Sequence, residues 1–354
     1  MMPVRRGRGK WGTCSDAPEG PRAILRPSLR PPVPAHGSMA ARMLGYVANT
    51  HHDWFDFLAR RRTWDEVNFW NPSDYYAFRG VPGSPFFFRL KAPRNAIGGF
   101  GIVARFDRLP EWLAWECFGE GNGAPSLADL EGRLAALRAN NELKGAGGPP
   151  QIGCIVLAGA VFFAERDWVR QPTDWGRQNL RYKGYDLTAG EGLRLWDECQ
   201  TRARALLTAT PSPPGVGEPA ARFGAPALVR PRLGQGTFRL AVTAAYQRAC
   251  AVTGEHSLPV LEAAHIRPYG EGGEHAVRNG LLLRSDLHRL FDRGYVTVTP
   301  DLRVRVSPRL RADYANGRSY YPHDGQALAV PRGREEAPDP ELLRWHNEQR
   351  FRAG

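Results

Sequence analysis

Three polar residues late in the 354-residue chain, His265, Asn279 and His288, stand at intervals of 14 and 9. His265 closes the run Leu261-Glu262-Ala263-Ala264-His265, which reads as a short strand. Asn279 follows a loop containing Gly272-Gly273, and His288 lies on a helix that begins near Ser285, a favourable N-cap. Hydrolysis of a phosphodiester needs a base to activate water, a cation to stabilise the pentavalent charge, and an acid for the leaving group. An imidazole at a strand end can be that base. A helix-borne imidazole or carboxylate facing it can hold one divalent metal, and an Asn between them can fix the loop and the base. Each residue alone has a commoner explanation: a lone His is usually structural, Asn before Gly usually marks a turn, and Asp286 and Asp292 would usually be caps or surface charges. Strand, Gly-rich loop, Asn and helix His within 24 positions of a basic chain form a much rarer combination.

This stretch resembles the HNH nuclease motif, built on the ββα-metal fold, and more specifically is similar to a bacterial group of HNH restriction endonucleases. The matching features are Cys250-Ala251-Val252-Thr253-Gly254, Ala263-Ala264-His265-Ile266, Asn279-Gly280-Leu281 and His288-Arg289-Leu290-Phe291-Asp292-Arg293-Gly294. The likeness runs on through Tyr320-Tyr321 and Leu343-Arg344-Trp345-His346, so it covers nearly all of residues 232–354. It implies that His265 is the general base, that Asn279 orders the loop and positions His265, and that His288 is a metal ligand. The chain departs from many such enzymes at Ala264, where an Asp often supplies a second ligand. Glu262, Asp286 and Asp292 are the candidates to complete the shell. The implied cofactor is one divalent ion, Mg²⁺ or Mn²⁺ first, with Zn²⁺ or Ni²⁺ as alternatives. His275 is read either as a phosphate contact or as a loop cap. Arg267, Arg278, Arg284, Arg289 and Arg293 surround the motif. On an ordinary face they would be solvated charges; beside this site Arg267, Arg284 and Arg289 are assigned to DNA phosphate, Arg284 foremost. One such site cuts one strand, so a double-strand break would call for two events or a homodimer.

The net charge of +12 favours a polyanionic partner, although a GC-rich genome would enrich Arg as well. Five scattered cysteines, Cys14, Cys117, Cys154, Cys199 and Cys250, form no C-x-x-C pair. They argue against a disulfide framework or a thiolate zinc ribbon and fit a reducing cytoplasm. No run approaches 18 apolar residues, so no membrane span is expected.

Residues 1–42 read as a disordered leader or an upstream mis-assigned start, because the Arg- and Pro-rich stretch around Arg30-Pro31-Pro32-Val33-Pro34 offers no face to bury. Residues 43–205 read as a first domain, 206–231 as a Pro/Gly/Ala-rich linker and 232–354 as the nuclease domain. In the first domain, strands are expected at 46–50, 85–90, 95–106 with a glycine bulge, 152–157 and 160–163, and helices at 53–58 and 127–137. Pro85-Phe86-Phe87-Phe88-Arg89-Leu90-Lys91 followed by Ile97-Gly98-Gly99-Phe100-Gly101 loosely resembles the strand pair of PUA-like domains, which include the EVE and SRA readers of modified bases. That resemblance implies a flipped base held between aromatics, with Trp64, Trp70, Tyr75, Tyr76 and Trp115 to stack and Asn49, Asn68 and Asn95 to read its edge. Most of these aromatics would serve equally well as core. The expected fold is α+β, a mostly-β PUA-like barrel followed by a ββα-metal domain. The leading expectation is a metal-dependent DNA endonuclease in a restriction or defence setting, modification-dependent through its front domain. The competing readings are a non-enzymatic DNA-binding module with a degenerate HNH fold, which the intact trio argues against, and an RNA-directed nuclease.

Overall fold

The computed structural model describes residues 43–73, 77–140, 151–176, 181–209 and 234–354. The Phe-rich run becomes β3 (Pro85–Leu90), buried along its whole length. Such an unalternating apolar run belongs in the middle of a sheet covered on both faces. Its neighbours are β1 (Leu44–Thr50), parallel to it, and the long β4 (Ala96–Pro110), antiparallel. With β2 (Thr63–Asn71), β5 (Gln151–Phe162) and β7 (Tyr182–Asp186), the strand order is β2-β5-β4-β3-β1-β7, and the short β6 (Val169–Arg170) pairs with β4.

The path of strands is open, with β2 and β7 at its two ends, and differs in this from the barrel expected. The reason lies in the helices. On one face α1 (His52–Ala59), α2 (Glu111–Phe118) and α3 (Leu127–Asn140) bring Trp54, Leu113 and Leu130 against Phe86, Phe88 and Phe162. On the other, α4 (Gly190–Ala209) lays Leu195, Trp196 and Cys199 on Val47, Phe87 and Phe100. A sheet that buries apolar side chains under helices on both faces is held as a middle layer. The two strands expected at 152–157 and 160–163 are one, β5, because Gly159 takes φ +58 and absorbs a local irregularity without ending the pairing. The irregularity expected in β4 appears as register shifts between Phe100 and Ile102 and between Val103 and Arg105.

The second part begins with α5 (Gln235–Ala245), then β8 (Leu261–His265), β9 (Gly280–Arg284) and α6 (Ser285–Asp292). β10 (Val296–Val298), β11 (Val304–Val306), α7 (Arg309–Tyr314) and α8 (Pro340–Gln349) follow. β8 and β9 pair antiparallel, and with α6 they make a ββα unit whose core includes Leu281, Leu283, Leu287 and Phe291. Ser285 is the first helical residue, with Arg284 in the cap position, so the hydroxyl does not cap α6 as expected. The two parts share α5: Leu240 joins the core beneath the large sheet, while Phe238 and Val242 join that of the ββα unit. The described residues from 43 to 354 fall in one compact unit.

The expected leader lies outside the described residues, as does 210–231 of the expected linker; α4 runs on to Ala209, past that linker's start. Among the described residues no helix is long and apolar enough to cross a membrane. Cys117, Cys154, Cys199 and Cys250 are free thiols.

Candidate active site

Asn279 is the fixed point of the site. It is 1% exposed, at the end of the 3-10 turn Val277–Asn279, and its side chain ties together both ends of the loop between β8 and β9. Its Oδ1 accepts from the Arg267 N–H at 2.9 Å, and its Nδ2 donates to the carbonyls of Arg267 at 2.9 Å and Glu274 at 2.8 Å. With its side-chain polar groups satisfied, a buried amide of this kind fixes geometry. Gly273 is required beside it, since a Cβ there would lie 1.9 Å from the Arg267 oxygen. Gly280, paired with His265, is required where α5 crosses β9: a Cβ would meet Val242 at 2.5 Å.

The loop so held presents His265 at the end of β8. Phe238 of α5 stacks on its imidazole, centroids 3.8 Å apart and planes 12° from parallel. Its Nε2 lies 3.0 Å from Nδ1 of His275, whose ring stacks in turn on Tyr269 at 4.5 Å. Burial, followed by the neighbouring charges of His275 and His288, pushes the His265 imidazole down to about 4. His275 is lowered too, mainly by burial. Both rings are therefore neutral near pH 7, and one donates to the other. Where His275 Nδ1 accepts, His265 carries its proton on Nε2 and keeps a lone pair on Nδ1, which has no hydrogen-bond partner among the described residues.

On α6, His288 stands between two carboxylates: Nδ1 is 2.7 Å from Glu262 of β8, and Nε2 is 3.4 Å from Asp292. Burial raises the Asp292 carboxyl above its ordinary range. One imidazole with two carboxylates is a donor set that suits a divalent cation. Among the described residues no group of three or more such side chains is already arranged to hold a metal.

The remaining candidates are placed as follows. Asp286 is occupied elsewhere, in a two-pronged pair with Arg284, 2.7 Å on each arm, and accepting from the Tyr320 hydroxyl at 3.1 Å. Arg284 therefore meets a carboxylate before any phosphate. Arg267 donates to the Glu271 carbonyl and lies over Trp345 at 5.3 Å. Arg278 pairs with Glu274. Arg289 is exposed on α6 and has no ion pair among the described residues.

In the front part, the described residues of the expected aromatic cage lie against the sheet's core. Trp64 donates to the Leu58 carbonyl at 2.9 Å and packs against the core; Trp70, 9% exposed, donates to that of Asn122 at 2.7 Å. Asn68 is fully buried, and Trp115 packs on the same core. Asn95 and Asn49 instead both accept from Arg89. Tyr75 and Tyr76 lie outside the described residues.

Two functional contacts had no signal in local sequence. Phe238 reads there as one more apolar residue of an amphipathic helix. Glu66, at mid-strand in β2, accepts from the backbone N–H groups of Gly234 at 2.8 Å, Gly236 at 3.1 Å and Thr237 at 3.3 Å. It thereby fixes the start of the helix that carries Phe238.

A family model described as HNH endonuclease matches residues 250–299, the span from Cys250 through α6 and β10. No curated protein matches the chain. Among solved structures it is similar to a modification-dependent TagI restriction endonuclease, at 26% identity over 33% of this chain with a TM-score of 0.24; the likeness spans 38% of that enzyme's length. It is also similar to a mutant ZmASCH protein from Zymomonas mobilis, at 6% identity over 43% of this chain and 94% of that one, with a TM-score of 0.31.

Proposed function

Since residues 250–299 form an HNH endonuclease segment, we propose that the chain is a metal-dependent DNA endonuclease of restriction or defence type, with His265 as its base. The observation that carries this is the ββα unit itself: the Asn279-held loop, His265 at the end of β8, and His288 opposite on α6 between Glu262 and Asp292.

The steps assigned to this chain follow from those positions. His275 accepts from His265 Nε2 and so leaves the lone pair of Nδ1 to take the proton of an attacking water. Phe238 at its back and Asn279 beneath its loop hold the imidazole in one orientation. His288, Glu262 and Asp292 would hold the cation, which supplies Lewis-acid stabilisation of the phosphate charge. Arg289, exposed and with no ion pair among the described residues, can meet a phosphate without first breaking one. Modification dependence rests on the resemblance of the front strands to PUA-like readers.

The test is nicking of supercoiled plasmid by the full chain with Mg²⁺ or Mn²⁺ and with EDTA, beside digestion of genomic DNAs that differ only in base modification. Robust cutting in excess EDTA rules out the metal assignment. Equal cutting of modified and unmodified DNA removes modification dependence and leaves the nuclease assignment standing. Cleavage of RNA but not DNA would replace the substrate.

A further inference from the structure

At the carboxyl ends of the parallel pair β1 and β3, far along the sheet from β2, a positive corner stands with no acid paired to its guanidinium among the described residues. Arg89, opposite Asn49 in the register, is only 8% exposed. Its guanidinium donates to three neutral amide oxygens: Gln171 at 2.9 Å, Asn49 at 2.5 Å and Asn95 at 3.1 Å. Trp175 lies against it at 5.0 Å. Among the described residues no carboxylate pairs with it. Lys91 follows two residues on, and burial together with the charge of Arg89 lowers its ammonium. His51, which precedes α1, is lowered by burial first and by Lys91 second; Asp53 acts on it in the opposite sense. Asp174, the acid next to Trp175 in sequence, is taken by Lys183 at 2.7 Å and by the Tyr185 hydroxyl at 2.8 Å.

Burying a charge without a counter-charge is costly, and crowding a second cation beside it adds to the cost. Three amides orient the guanidinium and satisfy three of its five N–H groups without neutralising it. Asn95 reaches it from a left-handed backbone, φ +44, which Asn adopts more readily than most non-Gly residues.

We propose that the Arg89–Lys91 corner is an anion site that holds a backbone phosphate of the DNA bound by the front part of the chain. This rests on the DNA reading above. The two remaining guanidinium N–H groups and the Lys91 ammonium receive the phosphate oxygens, and Trp175 keeps the fork in plane. A phosphate contact positions a strand without reading its sequence. The corner therefore adds affinity for every duplex alike.

The experiment measures binding of a fluorescent duplex by the full chain in EDTA, across a range of salt, for wild type, Arg89→Gln, Lys91→Gln and the surface control Arg166→Gln. Removing one phosphate contact should lower the slope of log affinity against log salt by about 0.9 and weaken binding roughly 5- to 10-fold near 0.1 M salt. The ratio of affinities for modified and unmodified duplexes should not change. The control should keep the wild-type slope. Lys91→Gln leaves the amide cluster intact, so it stands as the decisive variant even if Arg89→Gln misfolds. Wild-type slope and affinity in Lys91→Gln, with nicking intact, overturn the corner and leave the nuclease assignment in place. A wild-type chain that neither nicks nor binds duplex removes the DNA reading and this site with it.

Discussion

Lowering the pH should expose how the His265 pocket is built. An ordinary imidazole titrates near 6.5 and is only about one-tenth neutral at about pH 5.5. His265, pressed against Phe238, partnered by His275 and near His288, is pushed down to about 4. With that value roughly 97% of it is still neutral at about pH 5.5. The sign is that of a depressed base: its neutral, proton-accepting form survives acidification, and a cation at His288 pushes the same way. Single-turnover nicking at saturating metal and constant ionic strength should therefore change by less than about twofold between about pH 7.5 and 5.5, where an unshifted histidine would lose roughly tenfold. Circular dichroism at each pH would confirm that the chain stays folded. His275→Gln removes one of the two lowering charges but not the burial, so its acid limb should move upward and stop short of 6.5. An acid limb centred at or above 6.5 in the wild type would show that the pocket does not depress His265 and that the reasoning from burial fails.

His265→Ala should cut turnover by about 10²–10⁴-fold while metal affinity by calorimetry is unchanged, whereas His288→Ala should lose metal affinity and recover in part at high metal; the reverse pattern exchanges base and ligand. Gly273→Ala, whose Cβ would collide with the Arg267 carbonyl, should lower nicking by about 100-fold without unfolding the chain, and normal activity would show that the loop is not held as described. Glu66→Gln should cost about 1–2 kcal/mol in urea unfolding, because a charged acceptor leaves the start of α5; an unchanged midpoint would mean the contact contributes nothing. His346, 2% exposed, bonded to Thr297 and the Phe291 carbonyl and pushed down to about 4 by burial, protonates in the unfolded chain before it does in the folded one. Stability should thus fall by up to about 3 kcal/mol between about pH 6.5 and 4, and a flat profile there would count against it.

The ββα unit was legible because its chemistry and its punctuation are local. His265 ends a short run, Gly272 and Gly273 mark the loop, and Asn279 and His288 fall at fixed distances after it. Strand β3 was legible for a similar reason, since six consecutive buried positions leave their mark in composition. The open sheet was not. Nothing local in Leu195, Trp196 and Cys199 says that α4 will cover the second face, and that cover separates a layered sheet from a barrel. The packing of Trp64 and Trp70 against the core could not be read in advance, because an aromatic that stacks on a base and one that fills a core look the same in sequence. Phe238 and Glu66 lie 27 and 199 residues before His265, and only the fold makes them its neighbours in effect.

The attachment of α5 to β2 has a consequence for where DNA would be cut. Glu66 grips the first N–H groups of that helix, Leu240 roots it in the core of the large sheet, and Phe238 on the same helix backs His265. The His265 imidazole is thus bolted to the sheet rather than hung from a loose tether. Whatever base pair the front part grips, the scissile bond would lie at one set offset from it, and end-labelled fragments would gather in a narrow band. In such an enzyme the helix would act as a ruler, with its zero mark at the carboxylate of Glu66.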